Sequence, residues 1–81
     1  MRIDKFLKVS RLIKRRTVAN EACDSEHISV NGRTVKASYE VKEGDEITIA
    51  FGNKETKVKV LTVQESVRKE DAEGMYEYIA G

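Results

Sequence analysis

Seven basic side chains lie within the first sixteen residues, against a single acidic one, Asp4. The seven are Arg2, Lys5, Lys8, Arg11, Lys14, Arg15 and Arg16. A phosphate backbone is bound by several cations held at fixed spacing, and a helix supplies that spacing. A charged face that only keeps a protein in solution normally mixes both signs. We therefore predict that these residues form a surface for a polyanion.

Further residues extend this predicted RNA-binding surface. Thr17 is suited to be the N-cap of a second helix, whose free backbone N–H groups would donate to a phosphate clamped by neighbouring arginines. The set also includes Asn31, Arg33 and Lys36, which lie at or after the Asn31-Gly32 turn. The only aromatic residue near them that is not needed for the core is Tyr39, so we expect recognition of phosphates and shape rather than of unpaired bases.

The other reactive side chains do not form a pattern of known chemistry. His27 has no serine and acid arranged around it, so a surface or partly buried histidine is the better interpretation. Cys23 has no second cysteine for a metal or redox motif and is expected in the core. The pair Asp45-Glu46 follows Gly44 and is better explained by turn chemistry. We predict no enzyme activity, no cofactor and no metal site.

The elements that must position the basic residues make a small α+β domain. Apolar spacing predicts a helix over 4–11 with Asp4 as its N-cap, and a second over 18–25. Asn31-Gly32 between alternating apolar residues predicts a type I′ hairpin. Further strands with Ile47, Ile49, Phe51, Val58 and Val60 on one face follow. The spacing of Ala72, Met75, Tyr76 and Ile79 predicts a last helix over 69–79.

Length and composition limit the class of protein. The chain of 81 residues predicts one domain, with no apolar run long enough for a membrane span and no signal peptide. A single cysteine fits a reducing cytoplasm. Residues 1–36 carry nine Lys/Arg and four Asp/Glu, a net charge of +5, whereas residues 37–81 carry six and ten, a net charge of −4. This asymmetry predicts one face for a polyanion and another that is not.

Residues 1–49 resemble the RNA-binding domain named after ribosomal protein S-four, which has the αL fold. The ordered positions that fit the pattern of this family are Arg2, Asp4, Leu7, Arg11, Arg16, Thr17, Ala19, Ala22, Ile28, Val30, Asn31, Gly32, Ser38, Val41, Gly44, Asp45 and Ile47. The resemblance implies two short helices on a small, mostly antiparallel sheet. Residues 1–49 would form the RNA-binding core, and residues 50–81 a strand and helix extension. Glu26 departs from the pattern, because the family has a glycine there that closes the second helix in a left-handed conformation.

The whole chain is similar to the small free-standing members of this family, which include the fifteen-kilodalton heat-shock protein and factors of bacterial ribosome quality control. That similarity implies binding to large ribosomal subunits that retain peptidyl-tRNA after stalling. The expected partners are large-subunit rRNA, peptidyl-tRNA and an RqcH-type factor that adds alanine tails. The protein is expected to be a monomer and not to bind a membrane. In this family Arg2, Arg11 and Arg16 would lie on one exposed face, while Asp4 holds a neighbouring arginine.

Two alternatives remain open at this stage. One is a ribosome-assembly factor of the same fold that binds rRNA without tRNA. The other is a protein-interaction module that uses the acidic carboxy-terminal half, with RNA binding secondary. Sedimentation of a cell extract separates the three hypotheses. Quality control predicts large-subunit fractions that contain peptidyl-tRNA, assembly predicts immature particles, and an interaction module predicts neither.

Overall fold

Two short helices and the segment between them carry six of the seven basic residues found in the first sixteen positions. The computed structural model describes residues 1–64 and 68–79, and in it α1 spans Ile3–Val9 and α2 spans Arg16–Asp24. Helix α1 buries Ile3, Phe6 and Leu7, and α2 buries small side chains such as Ala19. Both predicted helices are confirmed. Their observed ends differ from the predicted ones by one or two residues.

The predicted N-caps are wrong. Arg2 precedes α1 and Arg15 precedes α2, and neither side chain makes a capping hydrogen bond. Arginine has no acceptor atom, so it cannot receive a bond from the free N–H groups of a helix. Asp4 and Thr17 are instead the second residues of their helices. From this position the buried Asp4 carboxylate bonds both the N–H of Lys5 in the first turn and the amide of Asn20 on α2.

Helix α2 ends in a Schellman motif even though no glycine is present. Glu26 has φ +64°, in the left-handed region. Its N–H donates to the carbonyl of Cys23, and the N–H of His27 donates to that of Ala22 at 2.9 Å. These are the two bonds that define the motif. The glutamate therefore adopts the conformation expected of the family's glycine, at a cost of about 1 kcal/mol of backbone strain.

Among the described residues, five antiparallel strands form one sheet, and they are, in chain order, β1 (Ile28–Val30), β2 (Arg33–Thr34), β3 (Glu46–Phe51), β4 (Lys54–Val60) and β5 (Tyr76–Tyr78). Their order across the sheet is β2-β1-β3-β4-β5. Strands β1 and β2 make the predicted hairpin. Its turn residues Asn31 and Gly32 have φ +52° and +85°, as a type I′ turn requires. Strands β3 and β4 form a second hairpin. The predicted α+β class is confirmed.

The predicted last helix is wrong after its first turn. Helix α3 spans only Lys69–Ala72, and a 3₁₀ turn follows at Glu73–Met75. The chain then forms strand β5 (Tyr76–Tyr78), which pairs with the end of β4. The residues whose spacing predicted a helix still face the core, but from three different elements. Ala72 is buried at the end of α3, Met75 is buried in the 3₁₀ turn, and Tyr76 packs against the core from β5.

The core lies between the two helices and one face of the sheet. Alternate strand residues such as Ile28, Ile47 and Val58 are fully buried there against Phe6 and Leu7. The residues between them point to the other face, which is polar. In the described part of the chain, the longest helix has nine residues and no helix is suited to cross a membrane.

Candidate nucleic-acid interface

A buried carboxylate organises the start of the basic region. Asp4 is 2% exposed, on the first turn of α1. Its Oδ1 accepts a hydrogen bond from the backbone N–H of Lys5 at 2.8 Å. Its Oδ2 accepts one from the Nδ2 amide of Asn20, on α2, at 3.2 Å. The carboxylate thus ties α1 to α2.

The same carboxylate holds two arginines at the surface. The Nε and Nη2 atoms of Arg2 donate to the two oxygens of Asp4 at 3.2 and 3.4 Å. Nη2 of Arg16 lies 3.6 Å from Oδ1 of Asp4. Both arginine side chains are 49% exposed, whereas that of Asp4 is 3% exposed. We call Arg2, Asp4, Arg16 and Asn20 the Asp4 cluster.

The Asp4 cluster keeps its carboxyl group ionised. Burial alone would raise the pKa of Asp4, but the net effect is a lowered pKa. The hydrogen bond from Asn20, the positive charge of Arg16, the backbone N–H of Lys5 and the charge of Arg2 all favour the carboxylate and outweigh the burial. An ionised Asp4 at neutral pH holds the two guanidinium groups beside each other, and both arginine side chains remain half exposed.

The other basic residues of the first sixteen positions lie on α1 and in the connector between α1 and α2, which comprises residues 10–15. Lys5 is half-buried on α1, and Lys8 is exposed near its end. Arg11 is exposed and has φ +65°, in the left-handed region, where the chain leaves α1. Lys14 and Arg15 are exposed in the connector. Of the predicted set, Asp4 brings Arg2 and Arg16 together. Arg11 is exposed as predicted, at the opposite end of α1 from Arg2.

The predicted residues of the hairpin have a different anchor. The side chain of Asn31 donates from Nδ2 to Asp45 at 3.2 Å, and its Oδ1 accepts from the backbone N–H of Glu46 at 3.0 Å. The Tyr39 hydroxyl and the N–H of Lys42 also donate to Asp45. We call these residues the Asp45 cluster. Both polar ends of Asn31 are therefore used within the protein.

The remaining members of the predicted set are exposed. Arg33 lies on β2 and Lys36 follows that strand, so both side chains are available to a ligand. Thr17 is exposed within α2. Thr17 follows Arg16 of the Asp4 cluster directly, whereas Arg33 and Lys36 lie on or after a strand that holds no member of that cluster.

Cys23 is buried in the core, and His27 packs against an aromatic ring. Cys23 is 1% exposed, and burial, helped by the charges of Asp4 and Asp24, raises the pKa of its thiol to about 11. The thiol is therefore protonated at neutral pH and is a poor nucleophile. The ring of His27 stacks on Phe51 with centroids 5.3 Å apart. No group of three or more potential metal-ligating side chains was found within 1–64 and 68–79.

One feature of the surface was missed by sequence reasoning. Phe51 of β3 and Tyr78 of β5 lie beside Leu12, in the basic connector, and together they line a groove. These aromatic residues are 39 and 66 positions beyond Leu12 in the chain. No local pattern brings them there, because their position depends on the pairing of β3, β4 and β5.

Comparisons with known proteins identify a family and relatives that match most of the chain. The family model described as the S4 domain matches residues 1–47. The RQC P-site tRNA stabilizing factor of Halalkalibacterium halodurans is 58% identical over 77 residues, which cover 95% of this chain and 88% of that protein. The factor of the same name from Streptococcus pneumoniae is 56% identical over 99% of this chain and 91% of its own length.

A solved structure resembles the whole molecule. The trimeric structure of heat shock protein 15 from Vibrio cholerae superimposes with a TM-score of 0.90. The match covers 99% of this chain and 82% of that one, at 27% sequence identity.

Proposed function

The chain belongs to the S4 domain family, and on that premise we propose that it is an RNA-binding factor of ribosome quality control. It binds large ribosomal subunits that have stalled and retained peptidyl-tRNA, and it stabilises that tRNA in the P site. The proposal takes its biological setting from the relatives of 58% and 56% identity, which are named RQC P-site tRNA stabilizing factors.

The observation that carries the proposal is the Asp4 cluster. A carboxylate at an RNA-binding surface repels phosphate unless it is buried and neutralised. Asp4 is both, and two half-exposed guanidinium groups lie between it and solvent. Arginine forks of this kind hold a phosphate with two hydrogen bonds each. Because Arg2 and Arg16 are fixed in advance, less side-chain entropy is lost when a phosphate binds.

The remaining cations extend the contact beyond one phosphate. We assign Lys5, Lys8, Arg11, Lys14 and Arg15 to the same RNA-binding surface, together with Thr17 of α2. Arg33 and Lys36 of the hairpin make a second area of positive charge. Asn31 acts indirectly by shaping that hairpin, because its side chain is already bonded to Asp45 and Glu46. Two basic areas suit a protein that contacts rRNA and tRNA together.

The protein acts by binding rather than by catalysis. The thiol of Cys23 is buried and protonated, and His27 is stacked against Phe51. We propose that it works as a monomer in the cytoplasm without a cofactor, and that it supports an RqcH-type factor that adds alanine tails to the stalled chain. The large exposed area of basic residues, opposite a polar sheet face, suits a small adaptor between RNA elements.

The test is sedimentation of extracts from cells in which translation has been stalled. The protein is expected in large-subunit fractions that contain peptidyl-tRNA. Arg16→Ala is expected to leave those fractions, while the double variant Lys57→Ala/Lys59→Ala stays. These two lysines lie on β4, on the polar face of the sheet away from the helices.

Two results would overturn the proposal. Co-sedimentation with immature particles that lack peptidyl-tRNA would instead identify an assembly factor. Absence from all ribosomal fractions would identify an interaction module.

A further inference from the structure

A groove with apolar and aromatic walls lies at the end of the β3–β4 hairpin, beside the basic connector. Its volume is about 280 Å³, and it is lined by Leu12, Ile49, Phe51, Lys54, Thr56 and Tyr78. The strand register explains this composition. Ile49 is paired with Thr56 and Phe51 with Lys54, so these four side chains share the face that also carries the core. The helices cover this face farther along but leave its end open.

The two aromatic rings of the groove are available to a ligand. Phe51 is 44% exposed and Tyr78 is 69% exposed, whereas Phe6 is fully buried. The Phe51 ring is held in place by its stack on His27, at an interplanar angle of 29°. Tyr78 is held by an edge contact with Tyr76, with centroids 5.4 Å apart. Fixed, exposed rings give a ligand a stacking surface at little entropic cost.

The charge within the lining of the groove is positive. Lys54 is the single charged side chain among the six that line it. Glu55 and Glu77 are neighbours of lining residues in the chain, but strand alternation turns them to the opposite face. Leu12 is preceded by Arg11, and Lys14 follows two residues later, both exposed. Glu73 borders Tyr78 in a neighbouring pocket but does not line the groove. An aromatic groove lined by a cation and by no acidic group complements a nucleotide, which has a flat base and an anionic phosphate.

We propose that this groove binds one unpaired nucleobase of the RNA whose phosphates lie on the basic connector. The base stacks against Phe51 or Tyr78, and the adjoining phosphate lies near Lys54 and the connector cations. The inference rests on the proposed function, which it deepens by assigning a single-stranded element to the recognised RNA. This proposal differs from the expectation from sequence, which was recognition of phosphates and shape rather than of unpaired bases.

The test compares three labelled probes by fluorescence anisotropy at one salt concentration. They are a short oligouridine, an abasic chain of the same length and charge, and a blunt RNA duplex. The wild-type protein is expected to bind oligouridine at least about fivefold more tightly than the abasic chain. Phe51→Ala and Tyr78→Ala should abolish that difference and keep the affinity for the abasic chain. Leu61→Ala is the matched control, because Leu61 is 43% exposed but does not line the groove.

A second measurement does not depend on variants. The Phe51 ring protons should shift in the NMR spectrum when oligouridine is added and stay in place when the abasic chain is added. Equal affinity of the wild type for the two chains would overturn the inference and leave the proposed function standing. If the aromatic variants bind all probes normally yet leave the large-subunit fractions, the groove holds a protein and the inference is wrong. Failure of every probe to bind would overturn the proposed function as well.

Discussion

Two carboxylates, Asp4 and Asp45, each hold a cluster of hydrogen bonds together, and the donors of the two clusters differ in charge. Asp4 is buried and receives hydrogen bonds or charge contacts from Arg2, Arg16, Asn20 and a backbone N–H. Asp45 is half-buried and receives its bonds from neutral groups, namely the Asn31 amide, the Tyr39 hydroxyl and a backbone N–H. Both clusters join segments that are distant in sequence.

The choice of donor decides what is left for a ligand. A guanidinium has five N–H donors, and Arg2 uses two of its nitrogens on Asp4. The Arg2 side chain stays about half exposed all the same. The hydroxyl of Tyr39 has one proton, which goes to Asp45, and burial together with the charge of Asp45 raises its pKa. A carboxylate held by arginines thus leaves charged donors over for a ligand, whereas one held by these neutral donors does not.

Salt should produce the largest effect and should separate the two clusters. If five cations contact phosphates, the logarithm of the RNA binding constant should fall against the logarithm of salt concentration with a slope of roughly −3.5 to −4.5. Arg16→Ala should reduce the size of that slope by about 0.7 to 0.9. Asp45→Asn should leave it unchanged. Binding titrations over a salt series measure the slope, and an affinity for rRNA that does not depend on salt would contradict the charged surface.

Removal of each carboxylate should have the next largest effect, on stability. Asp4→Ala should lower the free energy of unfolding by about 2 kcal/mol, because four donors lose a buried, charged acceptor. Asp45→Ala should cost about 1 kcal/mol, since its partners are neutral and partly exposed. Urea denaturation measures both, and equal losses would show that the two clusters do not differ as described. RNA binding should weaken only for the first variant.

Loss of one arginine should affect binding more than folding. Arg16→Ala should weaken large-subunit binding about tenfold, by removing a charged phosphate contact. Its unfolding free energy should change by no more than about 0.5 kcal/mol, because Arg16 is half-exposed and Asp4 keeps its other partners. Ribosome co-sedimentation beside thermal melts tests both. If the double variant Lys57→Ala/Lys59→Ala loses as much binding, the surface around the Asp4 cluster is not the RNA site.

Acid should weaken the Asp4 cluster through its lowered pKa. The carboxyl group is more acidic in the folded protein than its ordinary value of 3.8. Its contribution is therefore complete above about pH 4 and is lost as the pH falls through the folded pKa. Urea midpoints for the wild type and Asp4→Asn should converge as the pH is lowered from about 6 to about 3. A gap that stays constant would mean that the ionised carboxylate is not the stabilising form.

The smallest effect is expected at Thr17, immediately after Arg16. Thr17 is exposed inside α2 and does not cap it. Thr17→Ala should change the unfolding free energy by less than about 0.5 kcal/mol, whereas loss of a true N-cap costs about 1 kcal/mol. Thermal melts measure this difference. A drop of the larger size would restore Thr17 as the residue that begins the helix.

Sequence reasoning succeeded where the interactions are local and failed where they join residues that are distant in the chain. The type I′ turn at Asn31-Gly32 was predictable because two adjacent residues determine it. The apolar spacing of α1 was equally local. The role of Asp4 as a cap was wrong because its partners Asn20 and Arg16 lie sixteen and twelve residues away. Helical spacing after Ala72 was overruled by the pairing of Tyr76 and Tyr78 with β4.

The candidate site divides in the same way. Its cations could be identified from composition, since charge is a property of the sequence itself. Which of them are held together could not, because Arg2 and Arg16 meet only through Asp4 when α1 packs on α2. The groove of Phe51 and Tyr78 required the register of three strands, which no single segment specifies. Glu26 shows a further limit, as it takes the left-handed conformation without being glycine.

The order of the strands has a consequence for how the protein can be divided. Strand β1 lies between β2 and β3, so the hairpin after α2 is joined to the rest of the sheet through residues 46–51. A fragment ending at Ile47, where the family match ends, would keep only the first two residues of β3. It would lose Ile49, Val58 and Val60 from beneath the helices. The sequence that matches the family is therefore shorter than the part of the chain that builds the core, and the helices pack on strands that are synthesised after them.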